Sequence, residues 1–329
     1  MTTDSTVPGS VPGSEAIESL EQLYGIFDDL SMEGGWHRRF PALWAEPRKN
    51  LVPYRWRYAD IQSVLDAAGR LVDHSMADRR NVTMRNPVEG NEYATVRTLV
   101  AAYQLIRPGE TADCHRHTPA ALRIILDGTG TYTVVDGHRV EMRPGDVLLT
   151  PSTFWHSHSH ESDADGDDCY WVDILDVPLI HLLEPMFFKQ HPDRLEADPV
   201  DVDSSPLAFR WEDSVSRLDA AEAPADGLAS KVIELGEPAL PTISIHVLRL
   251  DAGFTSQVHQ TTANSIFTVV EGSGSLEIDG EVVTWERGDV IAVPSWRPYR
   301  FVADADAHLV RCSDEAVLKA LGLLRTEAL

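Results

Sequence analysis

His115 and His117 stand one residue apart, and His156 follows after a run punctuated by glycine and proline. In an extended strand alternate side chains share a face, so a His-x-His pair aims two imidazoles into one space. A third imidazole returning on a later strand completes one face of a coordination sphere. Three neutral imidazoles leave up to three adjacent positions open on an octahedral ion. Structural metal sites close their coordination, whereas reacting ones stay open. Imidazole suits iron, zinc, copper and nickel alike, so the donor set does not choose the metal. The competing reading is a barrel with buried, hydrogen-bonded histidines and no metal.

The elements that must position these residues are strands. From Asp78 to about Leu179 short runs of Val, Ile, Leu, Tyr and Thr alternate with turn signals at Asp127-Gly128, Asp136-Gly137 and Pro144-Gly145. Such spacing predicts an antiparallel barrel or jelly roll. Strand texture resumes at Thr242 and lasts to about Arg311, and the two regions superpose. His115 to Gly128 has the spacing of His259 to Gly272, and Gly145-Asp146 and Pro151 match Gly288-Asp289 and Pro294. The chain therefore carries two copies of one β unit, a stronger signal than any single strand. The copies part at the histidines: His117 pairs with Thr261 and His156 with Tyr299, leaving His259 as a lone pocket or core histidine. The second copy is expected to fold without metal and to serve packing or assembly.

Around the barrels, residues 1–14 read as a disordered tail and 15–77 as a helical and irregular segment. Within it one helix is expected from Ser14, as its cap, to Met32. A Trp- and Pro-rich surface wrap follows, then a helix over Tyr58–Leu71 with Ile61, Val64 and Leu65 inward and Gly69 near its end. The first barrel spans 78–179, a linker with helical and irregular texture 180–240, and the second barrel 241–329, ending in a helix over Asp314–Leu324. A length of 329 residues leaves ample room for real cores. Against 28 basic residues stand 52 acidic ones, a formal charge of −24, which argues against nucleic acid and against an anionic membrane surface. No apolar run long enough to span a bilayer occurs, and the N-terminus has no signal-peptide pattern. Three unevenly spaced cysteines (Cys114, Cys169, Cys312) are no disulfide framework and fit a reducing cytoplasm.

The pattern Gly109-x5-His115-x-His117, then Gly145-x5-Pro151-x4-His156, resembles the two motifs of the cupin superfamily, and the duplication makes a bicupin. Many cupins place a Glu four or five residues after the second His, where this chain has Ala121 and Leu122. That loss, with HRHTPAALR, WHSH after Pro151, the segment from Trp171 to Pro178, Pro241 to Ser244, LWAEPR and WRYADI, resembles one branch: the ring-cleaving dioxygenases of gentisate, salicylate and 1-hydroxy-2-naphthoate. The resemblance covers nearly the whole chain after its start. It implies Fe(II) on His115, His117 and His156, dioxygen as co-substrate, and a small aromatic hydroxy acid cleaved between its carboxyl-bearing and hydroxyl-bearing carbons. It also implies a homo-oligomer, a tetramer in similar bicupins.

Other site residues follow from the same match. His158 shares the face of His156 and is expected to take the phenolic proton or steer oxygen; the alternative is a surface histidine. Asp173 is expected to orient a histidine by accepting its N–H, or else to be a solvated carboxylate. Arg123, on the face of His115 and His117 if the strand is unbroken, is a candidate carboxylate clamp. Of Arg79-Arg80, Arg79 is preferred as a second substrate contact. Cys114 is expected to be structural, with a liability to oxidation. Similar enzymes carry Trp or Tyr, then Gly two residues later, where this chain has Val100 and Ala102, so one pocket wall is enlarged and another narrowed. The substrate is then a substituted relative of gentisate or salicylate, such as an amino-, nitro- or fused-ring hydroxybenzoate. Two other classes stay open: a bicupin dioxygenase on a β-diketone or flavonol, and a non-catalytic cupin ligand sensor.

Overall fold

The computed structural model describes residues 12–36, 43–73, 76–161, 167–197, 199–202, 205–236 and 240–328. Of the expected tail 1–14, all but residues 12–14 lie outside them. Residues 1–48 make one compact unit and 49–329 another. In the first, helix α1 runs Leu20–Asp29 and its cap is Ser19, not Ser14. Ser19 Oγ accepts from Gln22 N at 3.2 Å, while Gln22 Oε1 accepts from Glu18 N at 2.8 Å. The pair satisfies one orphan donor of the first turn and the amide just before the cap, which Ser14, in a separate 3₁₀ turn, cannot do.

The second unit is mainly β and holds both barrels, the bicupin architecture expected. In the first barrel one sheet orders Ala208–Phe209, Val147–Thr150, Ala121–Asp127, Cys169–Leu175, Val100–Ile106 and Arg80–Met84. Its other sheet orders Phe188–Gln190, Thr111–His117, His156–His160, Thr131–Val135, His138–Glu141 and Val200–Asp201. The second barrel pairs Tyr54–Trp56, Val290–Val293, Ser265–Glu271, Ala307–Ser313, Ser244–Leu250 and Lys231–Leu235 in one sheet. Glu281–Glu286, Ser273–Ile278, Tyr299–Ala303, His259–Thr261 and Thr326–Ala328 make the other. The residues between the barrels are therefore partly strand, and the terminal helix is short (Glu315–Ala320) and followed by a strand. Among the described residues no helix is long and apolar enough to cross a membrane.

In each barrel the sheet that faces the other barrel is buried on both faces along its central strands. Ala101, Tyr103 and Leu105 join Ile245, Val247, Val310 and Cys312 in one core between the barrels. The alternate residues face into the barrels, as strand pleating requires. There the two copies diverge. Among the described residues, a cluster of sixteen buried hydrophobic side chains fills the second barrel, Phe267, Trp285 and Phe301 among them, against seven in the first. The rest of the first interior is polar, and that is where the histidines lie.

The helix that directly precedes each barrel packs on that barrel and touches the other with its first residue. Helix α2 (Tyr58–Leu71) packs on the strands Arg80–Met84 and Val100–Ile106. Its first residue reaches the second barrel, where Tyr58 N donates to Asp289 Oδ1 at 2.9 Å. Two further helices follow the first barrel, α3 (Val177–Leu183) and α4 (Trp211–Ala220). Helix α4 packs along Lys231–Leu235 and Ser244–Leu250, and Trp211 N donates to Asp146 Oδ1 at 2.9 Å in the first barrel. In α2, Leu65 is buried but Val64 is 52% exposed, contrary to expectation, because the helix is covered on one narrow side only. Gly69 is helical, and a Cβ there would stand 3.1 Å from Leu105 Cδ2.

The glycines before the two aspartates admit these helix ends. A Cβ on Gly145 would meet Trp211 Cγ at 2.5 Å, and its φ of +87° lies in the left-handed region. Gly145→Ala is therefore expected to destabilise the chain by about 2–4 kcal/mol, from backbone strain and overpacking together. Urea unfolding measures it, and a change below roughly 0.5 kcal/mol, the level of a neutral surface substitution, would show that the seat of Trp211 on Gly145 does not hold α4 to the first barrel.

Candidate active site

The strand Thr111–His117 carries His115 and His117, and its neighbour His156–His160 carries His156 directly opposite His115. The ring centroids stand 4.4 Å apart for His115 and His156, 4.9 Å for His117 and His156, and 5.6 Å for His115 and His117. One nitrogen from each ring lies within 4.8 Å of the other two. All three Nδ1 atoms face backbone carbonyls: Asp113 O at 2.8 Å, Pro119 O at 2.8 Å and Phe154 O at 3.1 Å. A carbonyl only accepts, so each Nδ1 carries the proton and each Nε2 keeps its lone pair. This is how metal-binding imidazoles are oriented. Burial lowers all three: His115 to about 4, His117 below its ordinary value, His156 well below it. The triad is thus neutral at pH 7 and meets no proton competition for an ion. By donor type, tautomer and convergence these residues fit a divalent metal.

Arg123 arrives by a route that parity did not anticipate. The strand breaks at Thr118-Pro119-Ala120, where proline offers no N–H to a ladder, and the chain crosses to the opposite sheet before Ala121–Asp127 begins. Arg123 nevertheless enters the same interior, 1% exposed, and its charge helps to lower His115, His117, His156 and His158. Its NH1 donates to Thr150 Oγ1 at 2.6 Å, and its Nε stands 3.5 Å from Asp173 Oδ1 without a hydrogen bond. Burial lowers its pKa to about 10, so it remains a cation.

Asp173 does not orient a histidine. Its strand runs between Val100–Ile106 and Ala121–Asp127, and there Gln104 Nε2 and, at 2.9 Å, Trp171 Nε1 donate to its two oxygens. Gln104 Oε1 in turn accepts from Arg79 Nε at 2.5 Å. Arg79, Gln104, Asp173, Arg123 and Thr150 therefore form one connected chain across neighbouring strands of one sheet. Arg80 points elsewhere, into the end of α2, where its NH2 donates to Val72 O at 2.9 Å and its NH1 pairs with Glu110. Val100 and Ala102 are buried on the face of Gln104, with Ala102 opposite Asp173.

His158 is fully buried rather than superficial, 6.0 Å from His156 and 5.7 Å from Trp171 between ring centroids. Neither of its ring nitrogens has a hydrogen-bond partner. Such a group is costly unless something else satisfies it. Burial, then the charges of Arg123 and Arg79, hold it well below its ordinary pKa, so it is a neutral imidazole with a free acceptor. Cys114 is buried and its thiol is pushed up to about 12, against a reactive thiolate. Gln104 and Thr150 escaped sequence reasoning. Gln104 left one signal, a lone amide in the otherwise apolar run VAAYQLI.

The cupin domain family matches residues 102–174 and 246–312. Among characterised proteins, a 5-aminosalicylate 1,2-dioxygenase of Comamonas sp. is 33% identical over 94% of this chain and 90% of its own. A gentisate 1,2-dioxygenase of Streptomyces sp. is 33% identical over 93% and 95%. Among solved structures, the salicylate 1,2-dioxygenase from Pseudaminobacter salicylatoxidans has a TM-score of 0.85 at 28% identity, over 97% of this chain and 99% of that one. Its adduct with gentisate gives 0.84 at 27% identity, over 100% and 98%.

Proposed function

The chain belongs to the gentisate and salicylate type of ring-cleaving bicupin 1,2-dioxygenases, and from that premise we propose how its own residues serve the reaction. The substrate is an ortho-hydroxybenzoate, opened between its carboxyl-bearing and hydroxyl-bearing carbons. His115, His117 and His156 hold Fe(II) through Nε2. When bound, ferrous iron supplies electron transfer between the aromatic ring and dioxygen.

The observation that carries this reading is the meeting of three tautomer-fixed imidazoles with two arginines in one barrel interior. Arg123 and Arg79 take the substrate carboxylate, since guanidinium forks match that group and hold their charge when buried. His158 accepts the phenolic hydrogen at its free nitrogen, and the arginine charges keep it neutral until the anion arrives. Val100 and Ala102 shape the wall beside the ring, where one apolar change discriminates by only about 1–3 kcal/mol. Val100 in place of an aromatic supports a substituted or fused-ring member of the class. The same kinship supports a homo-oligomer, and three buried free thiols accord with a reducing cytoplasm.

Gln104 is a positioning residue that holds Arg79 toward the site and shares Asp173 with Arg123. Gln104→Leu is expected to raise KM roughly 10-fold or more, the loss of one hydrogen bond to a charged group, with iron content unchanged. A variant with the parent KM would detach Gln104 from substrate binding. The reading as a whole is tested by oxygen uptake of the Fe(II)-loaded protein on a panel of hydroxybenzoates.

A further inference from the structure

The second barrel keeps a polar end that the expected packing role does not use. At the register where the first barrel sets Asp173 between Arg123 and Ala102, the second sets Arg311 between Phe267 and His246. Ser313 follows two residues on, and the Tyr299 ring packs 6.0 Å from Phe267 and 5.7 Å from His259. Tyr299 is 1% exposed and Arg311 9%. In the first barrel the central carboxylate is matched by donors. In the second, the Nε of Arg311, the hydroxyls of Tyr299 and Ser313, and Nδ1 of His246 all lack partners.

We propose that this end of the second barrel binds a small monocarboxylate through Arg311, Tyr299, Ser313 and His246. The class follows from the donors. Arg311 Nε–H and the two hydroxyls can all donate, and a carboxylate offers two acceptor oxygens with about four lone-pair directions. Buried donors left unmatched are costly, so a complementary acceptor supplies the partners that these lack. Glu315 is already committed, pairing with Arg311 NH2 and, at 3.2 Å, with Lys319 Nζ. Glu315 and Asp226 also act on the titration of His246, His259 and Tyr299, which disfavours a second negative charge and hence a phosphate dianion. Tyr299, pushed up to about 12 by burial, stays a protonated donor. The aromatic filling of the remaining barrel limits size. A cleft of about 220 Å³ between Ser244 and Lys319 flanks the site, and Ser244 is the strand partner of Ser313.

Isothermal titration of acetate and, separately, of benzoate into the iron-loaded full chain under argon tests this, with Tyr299→Phe and Arg311→Lys beside the parent. Tyr299→Phe deletes one hydroxyl and keeps the ring packing, so it reads binding rather than folding. Acetate is expected to bind saturably, with affinity reduced about tenfold or more in each variant, as for a lost hydrogen bond to a charged group. Benzoate behaving likewise supports the site and widens it to aromatic acids of the enzyme's own substrate class; acetate alone supports it as an aliphatic site. Binding of both acids that is absent in the parent, or equal in the parent and a Tyr299→Phe protein of parent melting temperature, overturns the proposal. No step of this test depends on turnover in the first barrel.

Discussion

His117→Ala is expected to give a folded protein that no longer retains iron and has lost ring cleavage by about 100-fold or more. The magnitude has a floor. Removing only the outer partner of a metal-binding histidine costs roughly 10–100-fold in metal affinity or activity, and here a ligand itself is removed. With His117 gone, two imidazoles remain, and no carboxylate stands in the positions where many cupins keep one: Ala121 and Leu122 occupy them. The fold should survive, because the second barrel carries Thr261 at the matching place and closes normally. His117→Thr copies that natural state and controls for packing. Iron per chain, measured after gel filtration, and the melting temperature of the metal-free proteins check both halves. A His117→Thr protein that keeps stoichiometric iron would overturn the ligand assignment.

Arg123→Met is expected to raise KM for the aromatic acid by about 100-fold, the upper range for a charged hydrogen bond, without lowering iron content. It should also unfold more easily, by about 3–5 kcal/mol, because Asp173 would be left buried with neutral donors only. The two effects separate. Arg123→Lys keeps the charge beside Asp173 but loses the planar fork, so the stability loss should shrink while the KM defect persists. Arg123→Met with Asp173→Leu removes both charges and should recover stability but not binding. If that double variant bound substrate with the parent KM, Arg123 would be a structural ion and not a clamp.

How much of this could be read beforehand depended on range. The histidine triad was legible because the chain contains its own control, a second copy that keeps the turns and loses two imidazoles. Helix α2 was legible to its ends, since the 3.6-residue pattern is local. Ser19 was missed in favour of Ser14, although the Ser-x-x-Gln spacing marks it. The break after His117 was hidden by the run HRHTPAALR, whose alternation looks continuous across Pro119 although the chain changes sheets there. The pairing of Tyr54–Trp56 with Val290–Val293, and the reach of α2 and α4 to the opposite barrels, span more sequence than any periodic pattern covers. Gln104 and the partners of Asp173 belong to the same class. A buried polar network is set by which strands neighbour one another, and Cys169–Leu175 lies between two strands from different parts of the chain.

The reach of α2 and α4 to the opposite barrels also bears on the site. Asp146 and Asp289, each buried and each accepting a helix N–H, tie each barrel to the helix that packs on the other. Burial raises the pKa of both, while the helix N–H bonds act against the rise. The chemistry sits in the first barrel, but the second supplies the surface against which the sheet carrying Gln104, Arg123 and Asp173 is packed.

The central claim is that one Fe(II), on three histidines, serves the opening of an ortho-hydroxybenzoate. The most direct measurement is oxygen uptake by anaerobically loaded protein at one iron per chain, offered gentisate, salicylate, 5-aminosalicylate, 1-hydroxy-2-naphthoate and para-hydroxybenzoate in turn. The account predicts one dioxygen consumed per ring opened with at least one ortho-hydroxy acid, and none with para-hydroxybenzoate. Uptake with no ortho-hydroxy acid, at full iron occupancy, would contradict it.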